Sequence, residues 1–144
     1  MAIPDPRPGE VIRYAYLWHD EAMRGREEGL KDRPCAVVLA TRKENDETVV
    51  IVAPITHTPQ PANTGAVPLP PATQKRLGLD DDPCWIVTRE INRFIWPGPD
   101  LRPIRKGDQV DWFYGLLPRA LKSQIDAAFR HVIKQRRLNK GNRD

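Results

Sequence analysis

Cysteine is almost missing from this chain. Two occur in 144 residues, Cys35 and Cys84, far apart and in no metal-ligand spacing. Histidine is nearly as sparse: His19, His57 and His131 are scattered, so imidazole and thiol together make no zinc site. No glycine-rich loop of the kind that cradles phosphates is present, which argues against nucleoside triphosphate chemistry. No apolar run is long enough to span a bilayer, and no signal peptide opens the chain. Two thiols without an export signal lead us to expect a reduced, cytoplasmic protein. Internal repeats and low-complexity segments are absent. The length suits one domain over 1–144, with a proline-rich lead-in at 1–8 and a basic tail at 138–144. Neither a cofactor nor a metal is expected.

Apolar residues make up 40% of the chain, enough for a packed core. Fifteen prolines and nine glycines argue against an all-helical fold. The prolines cluster at 4–8, 54–71 and 97–103, positions that suit turns and strand ends. The net charge of +4 is a mild bias toward polyanions. Much of the excess sits at the end of the chain, in Lys134, Arg136, Arg137, Lys140 and Arg143.

Two apolar runs carry the clearest structural signal. Arg33-Pro34 opens Cys35–Ala40, a polar turn follows at 43–47, and Val49–Ile55 ends in Thr56-His57. This pattern predicts a β-hairpin with both strands largely buried. Its geometry sets the start of the first strand beside the end of the second. Arg33, Thr56 and His57 are therefore expected at one rim: a fixed cation, a hydroxyl and an imidazole, suited to handling a phosphodiester.

Upstream, Glu10–Trp18 reads as a strand with Ile12, Tyr14, Tyr16 and Trp18 on one face. His19–Asp32 is a polar loop, long enough to be functional. Downstream come a short strand at Ala66–Leu69, a proline-started turn of helix at Pro71–Leu77 stopped by Gly78, and strands at Cys84–Thr88 and Glu90–Phe94. Asp80-Asp81-Asp82 reads as a solvated turn, because three consecutive carboxylates do not converge on one ion. Leu101–Ile104 and Val110–Tyr114 are shorter strand candidates. Pro118–Arg137 reads as the one long helix, with Leu121, Ile125, Ala128, Phe129, Val132 and Ile133 in an apolar stripe. The sum is mainly β: a small, strongly curved sheet or barrel capped by a C-terminal helix.

In order, these motifs resemble the MazF/PemK toxin family. The resemblance runs through Arg7-Pro8-Gly9-Glu10-Val11, Gly25–Gly29 with Arg33-Pro34, Val50–Thr56, Ile86–Ile91 and Gly115–Pro118 with the helix behind it. It implies an SH3-like small barrel of the CcdB/PemK type, a homodimer, and a metal-independent endoribonuclease acting on single-stranded RNA. It also implies an acidic antitoxin as partner, and an RNA groove shared by two copies of the chain. The chain departs from the family pattern at several points. Glu90 stands where the family has glutamine, the loop before Arg33 is longer, Pro70–Asp82 looks inserted, and His57 is not the usual residue.

Metal-free RNA cleavage needs a base for the 2′-hydroxyl proton, an acid for the leaving 5′-oxygen, and donors facing the non-bridging oxygens. Arg33 suits the last role, because its planar fork matches phosphate. Thr56 can add a hydroxyl donor. His57 titrates near ~6.5 when unperturbed and is the acid/base candidate on physical grounds; the resemblance allows Arg33 a part in proton transfer as well. Glu27 is placed to orient the ribose hydroxyl or to be a solvated loop charge. His19, Arg26, Glu90, Asn92 and Trp96 complete the RNA-binding set. Trp96 is read as an exposed stacking platform because it lies in a proline-glycine turn, and His19, beside Trp18, as a second stacking residue or, the reading preferred, a surface histidine at a strand end. A non-catalytic nucleic-acid-binding or gyrase-binding protein similar to CcdB is the alternative reading.

Overall fold

The computed structural model describes residues 3–16, 31–61 and 64–141, with backbone alone at 31 and 137–141. Its centre is the expected hairpin. Strand β2 (Lys31–Arg42) pairs antiparallel with β3 (Thr48–Thr56) from Arg42↔Thr48 to Cys35↔Pro54. The turn between them closes through Lys43 N–H to the Glu47 carbonyl at 2.7 Å, with Asp46 left-handed at φ 66°. A bulge between Val37 and Leu39 breaks the register. Such an extra residue bends the strand and deepens its twist, which helps the sheet to curl.

Strand β1 (Glu10–Tyr16) covers the other side of β2. Its outer edge is shared by two short strands, β7 (Leu101–Arg102) and β10 (Gly115–Leu116). The outer edge of β3 is divided in the same way. Residues 49–52 pair with β6 (Asn92–Ile95), and residues 55–56 pair with β5 (Trp85–Val87), which carries β4 (Ala66–Pro68). Splitting both edges between diverging partners turns the sheet into a half-barrel. Helix α1 (Pro71–Arg76) lies between β4 and β5, and Gly78 ends it at φ +76°. Strands β8 (Ile104–Lys106) and β9 (Gln109–Asp111) form a separate ribbon.

Alternation along the strands divides the core in two. Val11, Ala36, Val38, Ala53 and Ile55 face helix α2 (Arg119–Gly141), whose Leu121, Ile125 and Phe129 pack onto them. Ile12, Tyr14, Tyr16, Cys35, Val37, Val50 and Val52 form the second cluster, covered by Phe94, Trp96, Trp112 and Phe113. A hairpin buried on both faces has to be apolar at nearly every position, and this one is. Ile125 is fully buried, a burial that contributes about 2 kcal/mol.

Three boundaries differ from expectation. The last helix begins at Arg119, with Pro118 ahead of it accepting the Lys122 N–H at 2.9 Å, and it runs past Arg137 to Gly141. The segment expected as a strand from Glu90 is a turn through Glu90 and a strand from Asn92. Asp80 is not simply solvated, as the next section describes. Among the described residues, no helix is long and apolar enough to cross a membrane.

Candidate active site

Arg33 and Thr56 flank the end of one ladder. The last β2–β3 pair is Cys35↔Pro54, two residues beyond Arg33 and two short of Thr56. Side-chain alternation assigns both to the face that carries Cys35, Val37 and Val52. Arg33 stands opposite Tyr14 on β1, and its guanidinium is close enough to the Cys35 thiol to act on it electrostatically. Asn92 stands opposite Val52 and so shares this face. Glu90 joins it through the Tyr16 hydroxyl, which donates to Oε2 at 3.4 Å. Arg33, Thr56, and the neighbouring Glu90 and Asn92, from three separate stretches of the sequence, thus gather at one end of this sheet face.

Burial tunes this end. Tyr16 is raised above the ordinary phenol range by burial first and by the Glu90 carboxylate second, so it stays a donor. Tyr14 is pushed up to about 12 by burial, with Asp100 and Cys35 adding to it. Burial likewise lifts the Cys35 thiol, against the pull of Arg33. A thiol held protonated is no nucleophile, so Cys35 acts as a small apolar side chain. Thr56 is buried, and its Oγ1 accepts the Thr58 N–H at 3.1 Å. That bond closes the bend in which β3 ends and leaves the hydroxyl proton to donate elsewhere.

His57 goes the other way. It is exposed beyond the end of β3, and its ring lies against the 80–83 loop. Nδ1 donates to the Pro83 carbonyl at 3.0 Å, and Nε2 meets Asp80 Oδ2 at 2.8 Å. The Pro83 carbonyl raises its pKa most, burial opposes this, and Asp80 and Asp82 raise it further. His57 with Arg33 lines a cavity of about 350 Å³, together with Asp32, Pro34, Asp80 and Tyr114. Arg33 therefore borders both the polar end of the sheet face and this cavity. Thr56 is not among the residues lining the cavity.

Two residues missed by sequence reading, Gln74 and Asp32, fix opposite walls of the cavity. The buried Gln74 amide donates to the Asp80 carbonyl and, at 2.6 Å, to the Asp82 carbonyl, fixing the acidic loop where Asp80 can meet His57. Asp32 on the near wall is bridged by Arg13 at 3.2 Å and Arg102 at 3.6 Å. Trp96, expected exposed, is half-buried: it stacks on Phe113 at 5.9 Å and 3°, and its Nε1–H donates to the Pro4 carbonyl at 3.0 Å. His19, Arg26 and Glu27 lie outside the described residues. No group of three or more His, Cys, Asp or Glu among the described residues is arranged to hold a metal ion.

A family model of the PemK-like, MazF-like toxins of type II toxin–antitoxin systems matches residues 12–94. The chain belongs to this family. The match runs from within β1 to within β6 and takes in Arg33, Thr56, His57, Glu90 and Asn92. Two solved structures share the MazF/PemK fold. An endoribonuclease in complex with its cognate antitoxin, from a mycobacterial species, superposes with a TM-score of 0.55 at 15% identity, covering 90% of this chain and 95% of its own. The Mycobacterium tuberculosis toxin MazF-mt6 superposes at 0.52 and 22% identity, covering 89% and 97%. No curated protein matches. The SH3-like barrel expected from the motifs agrees with the curled antiparallel half-barrel and its single long C-terminal helix.

Proposed function

We propose that this MazF/PemK-family chain is an endoribonuclease that cleaves single-stranded RNA without a metal. The arrangement that carries the reading is Arg33 with Thr56 on one face at the end of the central hairpin, inside the part of the chain that matches the family. In this reading the 2′-hydroxyl gives its proton to solvent water and its oxygen attacks the adjacent phosphorus, the bond to the 5′-oxygen breaks, and a 2′,3′-cyclic phosphate forms. Arg33 sets its fork on the non-bridging oxygens, where negative charge grows. Thr56 adds its hydroxyl as a second donor. His57 has both ring nitrogens turned to acceptors, and the Pro83 carbonyl first, with Asp80 and Asp82 after it, favours the protonated ring. That suits it to protonate the leaving 5′-oxygen.

The same reading includes two partners. An acidic antitoxin complements the net charge of +4, as a cognate antitoxin accompanies one of the similar endoribonucleases. A second copy of the chain covers part of the exposed apolar surface, where Ile95 and Val110 are about half exposed at 51% and 57%. The test is incubation of the pure protein with a long unstructured RNA in EDTA. Discrete fragments ending in cyclic phosphate are expected, and Arg33→Ala should abolish them. Intact RNA, with tight binding to a gyrase subunit instead, would replace this reading with the CcdB-like one.

A further inference from the structure

Beside the cavity that holds Arg33 lies a second one, of about 440 Å³, lined by Arg13, Arg76, Arg105 and Lys106. We propose that it is a subsite for backbone phosphates of the same RNA strand, adjoining the phosphate held at Arg33; the proposal rests on the reading that Arg33 binds RNA. The two cavities share Gly78 and Tyr114 as a common wall. Gly78 has φ +76° and open space where a Cβ would stand, so its part of the wall between them carries no side chain.

The four cations come from three separate elements: Arg13 from β1, Arg76 from α1, Arg105 and Lys106 from β8. Such convergence is not a by-product of one basic run. Among the described residues, no carboxylate lines the cavity. From outside it, Asp32 bridges Arg13 at 3.2 Å, and Asp111 bridges Lys106 at 3.3 Å. Arg76 instead donates to the Leu116 carbonyl at 2.6 Å, a neutral acceptor that fixes the guanidinium, and it makes no ion pair among the described residues. Arg105 is exposed and makes no ion pair among the described residues. Two arginines with no ion pair among the described residues therefore face one concavity. The apolar side chains there, Leu77 and Ile104, are buried at 2% and 6% exposure, so a docking protein helix finds little to anchor on. A phosphate needs only the forks.

The test uses the full chain, with Arg105→Gln, Arg76→Gln and the double variant, and with Arg42→Gln at the far end of β2 as the charge-matched control. The probe is a dye-labelled 2′-O-methyl RNA of mixed sequence, tens of nucleotides long, which lacks the attacking hydroxyl. Binding is read by anisotropy over a salt series. Each cavity variant should weaken binding about tenfold at low salt. It should also flatten the slope of log K against log salt by about 0.7 for each phosphate that is no longer neutralised. Arg42→Gln should change neither. Arg105→Gln decides alone if Arg76→Gln lowers thermal stability. Cavity variants that behave as Arg42→Gln does would overturn the proposal. So would variants that keep RNA affinity but lose a poly-glutamate peptide, which would make the cavity a protein-docking site. Failure of the nuclease reading is separately visible: the wild-type chain would bind this probe through Arg105 yet leave ordinary RNA uncut.

Discussion

His57 and Asp80 meet at 2.8 Å across a separation of 23 residues, closing the cavity that Arg33 borders. The contact has a signed pH consequence. Folding raises the His57 pKa, so the folded state binds the proton more tightly than the unfolded one. The stabilisation is complete below the unfolded value near ~6.5 and is lost as pH rises through the raised native value. Both side chains are about half exposed or more, so screening holds the effect to about 0.5 kcal/mol. Urea unfolding from about pH 6 to about pH 9 should show this decline in the wild-type chain and not in His57→Gln. A decline of equal size in both proteins would mean that other groups set it.

Gly115 couples β10 to the region between the two cavities. At φ +147°, a Cβ built there comes within 2.8 Å of Leu77 Cδ2, and Leu77 is buried. Gly115→Ala should therefore cost about 2 kcal/mol, from backbone strain and overpacking together. Leu77→Ala makes room for the added methyl. The double variant should then lose less than the sum of the two single changes. Denaturant midpoints at constant slope measure this, and strict additivity would show that the methyl meets no obstacle at Leu77.

Glu90 stands where the family resemblance expects glutamine, and it shares the Arg33 face through Tyr16. A carboxylate there repels an incoming phosphate, and an amide does not. Glu90→Gln keeps an oxygen to accept the Tyr16 hydroxyl. It should lower KM for RNA several-fold, within the range of a partly screened charge contact, while kcat holds. A collapse of kcat would instead identify Glu90 as the base that takes the 2′-hydroxyl proton.

The parts of this molecule that local pattern encodes were legible in its sequence. Val49–Ile55 and Cys35–Ala40 are continuous apolar runs around a polar turn, and they form the hairpin. Leu121, Ile125 and Phe129 recur at helical spacing, and they pack on the sheet. What escaped was decided by contacts distant in sequence. Trp96 sits in a proline-glycine turn that reads as exposed, yet the groups that half-bury it, Phe113 and the Pro4 carbonyl, come from elsewhere in the chain. Asp80 reads as solvated because nothing nearby in sequence marks Gln74 or His57 as its neighbours. The strand expected from Glu90 begins at Asn92, because Glu90 lies in a turn and accepts the Tyr16 hydroxyl. Within the site, hairpin geometry alone was enough to bring Arg33 and Thr56 to one end. Which way His57 turns depends on the 80–83 loop, and no periodicity encodes that.

Arg33→Lys isolates what the guanidinium contributes beyond its charge. A lysine in the same place keeps the positive charge that attracts RNA but presents a point donor in place of a planar fork. Initial binding, which is largely electrostatic, should change little. The fork matters most when charge spreads over two phosphoryl oxygens, so the loss should fall on kcat. Removing one such fixed donor costs about a hundredfold or more in turnover. Single-turnover cleavage separates the two quantities. If the lysine variant cuts RNA at the wild-type rate, Arg33 serves only as a binding charge, and the transition-state role passes to another group on the Thr56 side of the sheet. If KM rises while kcat holds, the fork contributes equally to bound substrate and transition state, and Arg33 does not contribute to the chemical step.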